Sequence, residues 1–104
     1  FATLLLDLLS PHEERDRSNV FDIALLASRL RRAADWSAQF VATRNLRLSY
    51  FGSSTGAGAA LQAAAGDARI AAVVSRGGRP DLAGIDALRS VRVPTLLIVG
   101  ALDG

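Results

Sequence analysis

The chain has 104 residues, half of them hydrophobic, and a formal net charge of +2. It contains no cysteine, which excludes disulfides, thiol chemistry and thiolate metal sites, and its single histidine, His12, excludes a multi-histidine metal site within one chain. The length allows one small domain at most. No apolar run reaches the roughly 20 residues that span a bilayer and no secretion signal is visible, so a cytoplasmic protein without membrane partners is expected.

The chain opens on Phe1 inside an apolar run, which reads as an internal cut or a processed end. Residues 2–9 (ATLLLDLL) are continuous rather than alternating in hydrophobicity, as a strand buried on both faces tends to be. Residues 10–19 (SPHEERDRSN) read as a polar loop. Asn19 or Ser18 can cap the next element, with Asp22 in its first turn. Residues 20–42 then show helical spacing, with Ile23, Leu26, Ala27, Leu30, Ala34 and Val41 near one stripe. Arg29, Arg31 and Arg32 form the densest basic cluster and read as the solvated face of that helix, with no nucleic-acid partner implied. Trp36 and Tyr50 read as packing residues.

Residues 46–51 predict a second strand, Gly52 to Gly56 a turn, and residues 55–65 a small-residue helix closed by Gly66. Residues 69–75 predict a third strand, followed by the loop from Arg76 to Pro80. Asp81 caps a short helix to about Ser90, and residues 93–99 predict a fourth strand. The order β-α-β-α-β-α-β argues for a single α/β domain over residues 1–104, with a three-layer, doubly wound parallel sheet. Every strand then ends on one rim, where ligands bind. That rim collects residues 10–19, 53–55, 76–81 and 100–104.

Gly52-Ser53-Ser54-Thr55-Gly56 fits G-x-S-x-G between a β-run and a helix, the setting that gives the pentapeptide meaning. Glycines on both sides remove side chains that would collide at a sharp turn. The turn lifts the Ser54 hydroxyl to the rim, as a nucleophile, and aims the Thr55 amide where an oxyanion would form. Ser53 is off-register and reads as packing. Asp103, just beyond the fourth strand, is placed to orient a histidine; as Asp-Gly it also fits a plain turn. Arg76 and Arg79 flank Gly77-Gly78 on the same rim, where they pair with Asp81 and Asp103 or hold an anionic substrate group. His12 reads as an exposed loop residue. In a shortened chain or a dimer it is the only imidazole available to deprotonate Ser54.

Three stretches together, from Ser49 to Gly58, from Val74 to Leu82 and from Val93 to Gly100, resemble the dienelactone-hydrolase-related branch of the α/β-hydrolases along essentially the whole chain. The resemblance implies the central portion of that fold, with Ser54 as nucleophile, Asp103 as acid and Thr55 as one oxyanion donor. It implies hydrolysis of a small-molecule ester or lactone through an acyl-enzyme, with no cofactor. Dienelactone hydrolases proper use a cysteine nucleophile, so the likeness is to serine-bearing relatives. The family places its histidine after Asp103, its second oxyanion donor before Phe1, and a strand between 2–9 and 46–51. Without that strand the sheet has a slot, which invites homo-oligomers through exposed edges or a shift of residues 2–9 onto 46–51. The chain alone is expected to turn over little or no ester. The competing reading is a non-catalytic accessory or interaction domain that keeps the fold.

Overall fold

The computed structural model describes residues 2–102. Two short helices come first, α1 (Pro11–Glu14) and α2 (Arg17–Val20), where a loop was expected. Local chemistry explains both. The Ser10 hydroxyl accepts from the Glu13 amide at 3.2 Å and the Glu13 carboxylate accepts from the Ser10 amide at 2.9 Å, a reciprocal capping box with Pro11 at the first helical position. Asp16 caps α2 through the Ser18 amide. Asp22, not Asn19 or Ser18, caps the long helix α3 (Ile23–Gln39), by accepting from the Leu25 amide at 3.1 Å.

The remaining elements are β1 (Leu48–Ser53), α4 (Thr55–Ala64), β2 (Ile70–Arg76), a 3-10 turn (Pro80–Ala83), α5 (Ile85–Ser90) and β3 (Thr95–Ile98). The three strands are parallel, in the order β1-β2-β3. The α/β class and the parallel sheet are therefore as expected, with three strands rather than four. Residues 2–7 carry no regular structure and Leu5 is 98% exposed. A strand needs a neighbour to take its backbone donors and acceptors, and this segment does not reach the free edge of β1. It is held from the other side instead. Leu9 is buried with Ile23, Leu26 and Ala59, and the Arg29 guanidinium donates to the Leu8 carbonyl at 3.0 Å.

The same guanidinium grips both oxygens of Glu13, at 2.6 and 2.5 Å. Arg31 donates to the Gln62 carbonyl at 2.9 Å. Two of the three clustered arginines thus bind this chain itself.

α4 packs on β1 and β2, and α3 packs on α4. Ile23 and Leu26 of α3 are buried with Ala59 of α4, and Ala27 and Ala34 of α3 share a cluster with Ala60, Ala63 and Ala64 of α4, all buried. Such small residues bring helix axes close. The expected stripe on α3 is buried at Ile23, Leu26, Ala27 and Ala34, while Val41 lies beyond the helix and is exposed. Tyr50 is buried in the core, as expected. Trp36 is not: it is half exposed and stacks on Phe40, one turn on. Phe51, Leu96 and Ile98, on the sheet face opposite α4, are exposed.

Two outcomes follow from these contacts. The Tyr50 hydroxyl is buried with no hydrogen-bond partner among the described residues, and burial pushes its pKa up to about 12. Tyr50→Phe removes that unsatisfied group, so thermal denaturation is expected to show unchanged or raised stability, by about 1 kcal/mol; a clear loss would mean the hydroxyl is bonded. Hydrogen bonds from Arg29, and then from the Ser10 amide, hold the Glu13 carboxyl at about 2, against 4.5 for a free group. A carboxyl depressed by folding contributes its full stability above 4.5 and loses it as pH falls toward 2. The Leu9 methyl signals of the folded protein should move with a midpoint at about 2 in an NMR titration, and Glu13→Gln should show the acid-form shifts already at neutral pH. Identical spectra for the variant and the parent at neutral pH would refute the Arg29–Glu13 latch.

Candidate active site

The sharpest feature of the backbone is the join of β1 to α4. Gly52 ends on the buried face of the strand, pressed against the first turn of α4. A Cβ at Gly52 would lie 2.6 Å from the Gly56 carbonyl carbon and 2.7 Å from the Ala57 Cα, closer than side chains pack. Without that side chain the strand can run straight into the helix, and the direction reverses at one residue. That residue is Ser54, with φ 54° and ψ −126°. It is the only non-glycine residue at positive φ among the described residues.

Ser54 is exposed. Its hydroxyl caps nothing and makes no hydrogen bond among the described residues. The first amides of α4, beginning with Thr55, have no acceptor within the helix and carry its positive end. An open groove of about 420 Å³ lies beside them, between Leu6–Leu9 and Thr55–Gly56. Thr55 and Gly56 line that groove, and the exposed Ser54 immediately precedes them in the chain.

Gly56 behaves differently from Gly52. A Cβ there would meet nothing within 4 Å, so of the two glycines that bracket the serine, the first alone is demanded by its described surroundings. Gly58 packs closely, with the Arg79 carbonyl 3.0 Å from where its Cβ would be.

The loop after β2 comes to the same place. The Arg79 amide donates to the Ser54 carbonyl at 3.1 Å, and the Ala57 amide donates to that carbonyl at 3.1 Å. The Arg79 guanidinium is held by Asp81, through bonds of 3.0 and 2.9 Å; this hydrogen bonding raises the pKa of the arginine and lowers that of Asp81. Arg76, in register with Ser53, is exposed and unpaired among the described residues. Ser53 is exposed too, rather than packed. His12 is exposed on α1, and no hydrogen bond joins it to Ser54. Asp103 lies outside the described residues. The structure thus brings together Ser54, Thr55 and the backbone of Arg79. The last of these is not marked by the charge of Arg79, which is spent on Asp81; its sequence signal is the pair Gly77-Gly78 just before it.

No protein-family model matches the chain. Two curated relatives, from two strains of Mycobacterium tuberculosis, are 66% identical over 105 residues, which is 99% of this chain and 23% of theirs; both carry the provisional name phosphoribosyl transferase. A crystal structure of a dienelactone hydrolase from Anabaena variabilis is similar at TM-score 0.82 and 54% identity, over 93% of this chain and 47% of that one. The chain thus spans about a quarter of the length of the curated relatives and just under half of the solved hydrolase. Its fold, a parallel sheet with helices packed on it, matches a fragment of that hydrolase.

The two bracketing glycines should respond oppositely to substitution. Gly52→Ala must push strand from helix and is expected to cost about 1–3 kcal/mol or more. Gly56→Ala meets open space and is expected to be neutral or stabilising, by up to about 1 kcal/mol. Chemical denaturation of the two variants reads this directly, and equal stabilities would overturn the account of the turn.

Proposed function

We propose that this chain carries the nucleophile half of a serine hydrolase that cleaves a small-molecule ester or lactone. The observation that carries the reading is the exposed Ser54, in a backbone conformation that serine rarely adopts, with no hydrogen bond to its hydroxyl among the described residues. In the proposed reaction Ser54 Oγ attacks the acyl carbon and gives up its proton to a base. The negative oxygen of the tetrahedral intermediate is met by the Thr55 amide at the start of α4. Collapse of the intermediate breaks the bond to the alcohol oxygen, which leaves with the proton, and water then cleaves the acyl-serine by the reverse sequence.

His12, the only imidazole in the sequence, makes no bond to Ser54, so the base is assigned to polypeptide outside these 104 residues. Asp103 is the proposed acid that orients it. Arg79 is taken up by Asp81, which leaves Arg76 as the rim cation available to an anionic group on the substrate.

A second reading comes from the name of the curated relatives. They are 66% identical to this chain but extend over about four times its length. Phosphoribosyl transfer would then belong to the rest of such a polypeptide, with the hydrolase-like unit as an accessory domain that does no chemistry at Ser54.

A fluorophosphonate probe separates the two. In the intact gene product, mass spectrometry is expected to find the adduct on Ser54, absent from Ser54→Ala, with ester turnover falling roughly 10⁴-fold or more in that variant. Residues 1–104 alone are expected to show little or no turnover of p-nitrophenyl acetate. An intact gene product that leaves Ser54 unlabelled favours the accessory-domain reading.

A further inference from the structure

We propose that the segment Gly77–Gly78–Arg79 is a positioning element whose backbone aims the oxyanion donor; this rests on the hydrolase reading above. The argument begins with the peptide plane between Ser54 and Thr55. The Ser54 carbonyl and the Thr55 N–H belong to one rigid trans unit, so they point in opposite directions and turn together. Whatever holds that carbonyl also sets the direction of the Thr55 amide.

Two donors hold it. The Ala57 amide does so from within α4, as any first helical turn would. The Arg79 amide does so from a different loop, at 3.1 Å, and is the tie from outside the turn. The conformation of Ser54 costs about 1–3 kcal/mol and persists where the surroundings over-determine it. Gly52 allows the strand to approach the helix, but it does not grip the Ser54 peptide. The loop does.

The loop is itself fixed at three successive residues. The Gly77 amide donates to the Ile98 carbonyl, at the end of β3, at 2.7 Å. Gly78 lies flat between Ala57 and Ser75, and a Cβ there would overlap both side chains. The Ser75 hydroxyl could rotate away, but the Ala57 methyl cannot. Arg79 is locked by its bidentate bond to Asp81. The absent side chain at position 78 is therefore what lets the Arg79 amide reach the Ser54 carbonyl, and the end of β3, the loop and the nucleophile turn are linked by backbone bonds alone.

A positioning role predicts lost turnover without lost binding. In the intact gene product, Gly78→Ala should lower kcat for p-nitrophenyl acetate roughly tenfold to a hundredfold, the scale of a small misplacement at a catalytic group. KM should stay within about twofold, and the fluorophosphonate should react with Ser54 more slowly by the same factor as kcat. A folded Gly78→Ala protein, by circular dichroism, that labels at the parent rate overturns the proposal and leaves the hydrolase reading intact. If Gly78→Ala does not fold, Gly77 decides. Its φ of +50° suits asparagine far better than valine, so Gly77→Val should slow labelling and Gly77→Asn restore it. Equal rates for the two overturn the proposal. A parent protein that never labels at Ser54 removes the hydrolase reading, and this inference with it.

Discussion

Everything at the carboxyl rim depends on how closely β1 approaches the first turn of α4. The backbone of Gly52 sits where any side chain would overlap the Gly56 carbonyl and the Ala57 backbone. That proximity leaves one residue in which to change from extended to helical, and Ser54 takes the whole reversal. From this single contact follow the exposure of the hydroxyl, the direction of the helix amides, and the entry point of the loop after β2. A longer connection would have released the strain and, with it, the placement.

The approach is possible because the helical layer is built from small side chains. α4 is buried almost along its length, yet Leu61 is the one large residue among its buried positions. On α3, Ala27 and Ala34 join its alanine cluster, while Ile23 and Leu26 are buried against Ala59. Alanine removes little area from water, so the alanine positions gain closeness rather than much hydrophobic free energy. Other large apolar side chains stay in water: Leu4 and Leu5 before α1, and Phe51, Leu96 and Ile98 on the opposite face of the sheet, all substantially exposed. The half of the molecule that positions Ser54 is well packed, and the sheet face turned away from it is not.

The elements around the serine were legible because their signals are local. G-x-S-x-G between a β-run and an alanine-rich run specifies both the turn and its flanks. The parallel sheet follows from alternation of strands and helices. The segment before α1 is not a strand because its six apolar residues among positions 2–9 state only that they avoid water, while strand formation requires a neighbour's backbone. The capping box at Ser10 and Glu13 was legible as S-x-x-E but was passed over in a charged stretch. The Arg79 amide was not readable as a donor at all, since backbone groups leave no trace in residue type; the glycine at 78 was its indirect mark. Arg29 shows the converse. Its charge suggested a solvated face, yet the partners that claim it, Glu13 and the Leu8 carbonyl, lie 16 and 21 residues away in sequence.

The strongest indication that the serine is more than a turn residue comes from comparing it with the other reversals of this chain. Three further positions have positive φ among the described residues, at 66, 77 and 84, and all three are glycine. None of those glycines would meet a neighbour if it carried a Cβ, so backbone conformation, not space, accounts for them. At those positions the sequence supplies the residue that adopts the conformation at least cost. At 54, where φ and ψ are as demanding, it supplies an exposed side chain that strains the backbone and makes no hydrogen bond among the described residues. A hydroxyl held at that cost has no structural return among its described neighbours. On the proposed reading the balance is restored by a reaction in which the hydroxyl takes part, so that the strain belongs to the chemistry rather than to the fold.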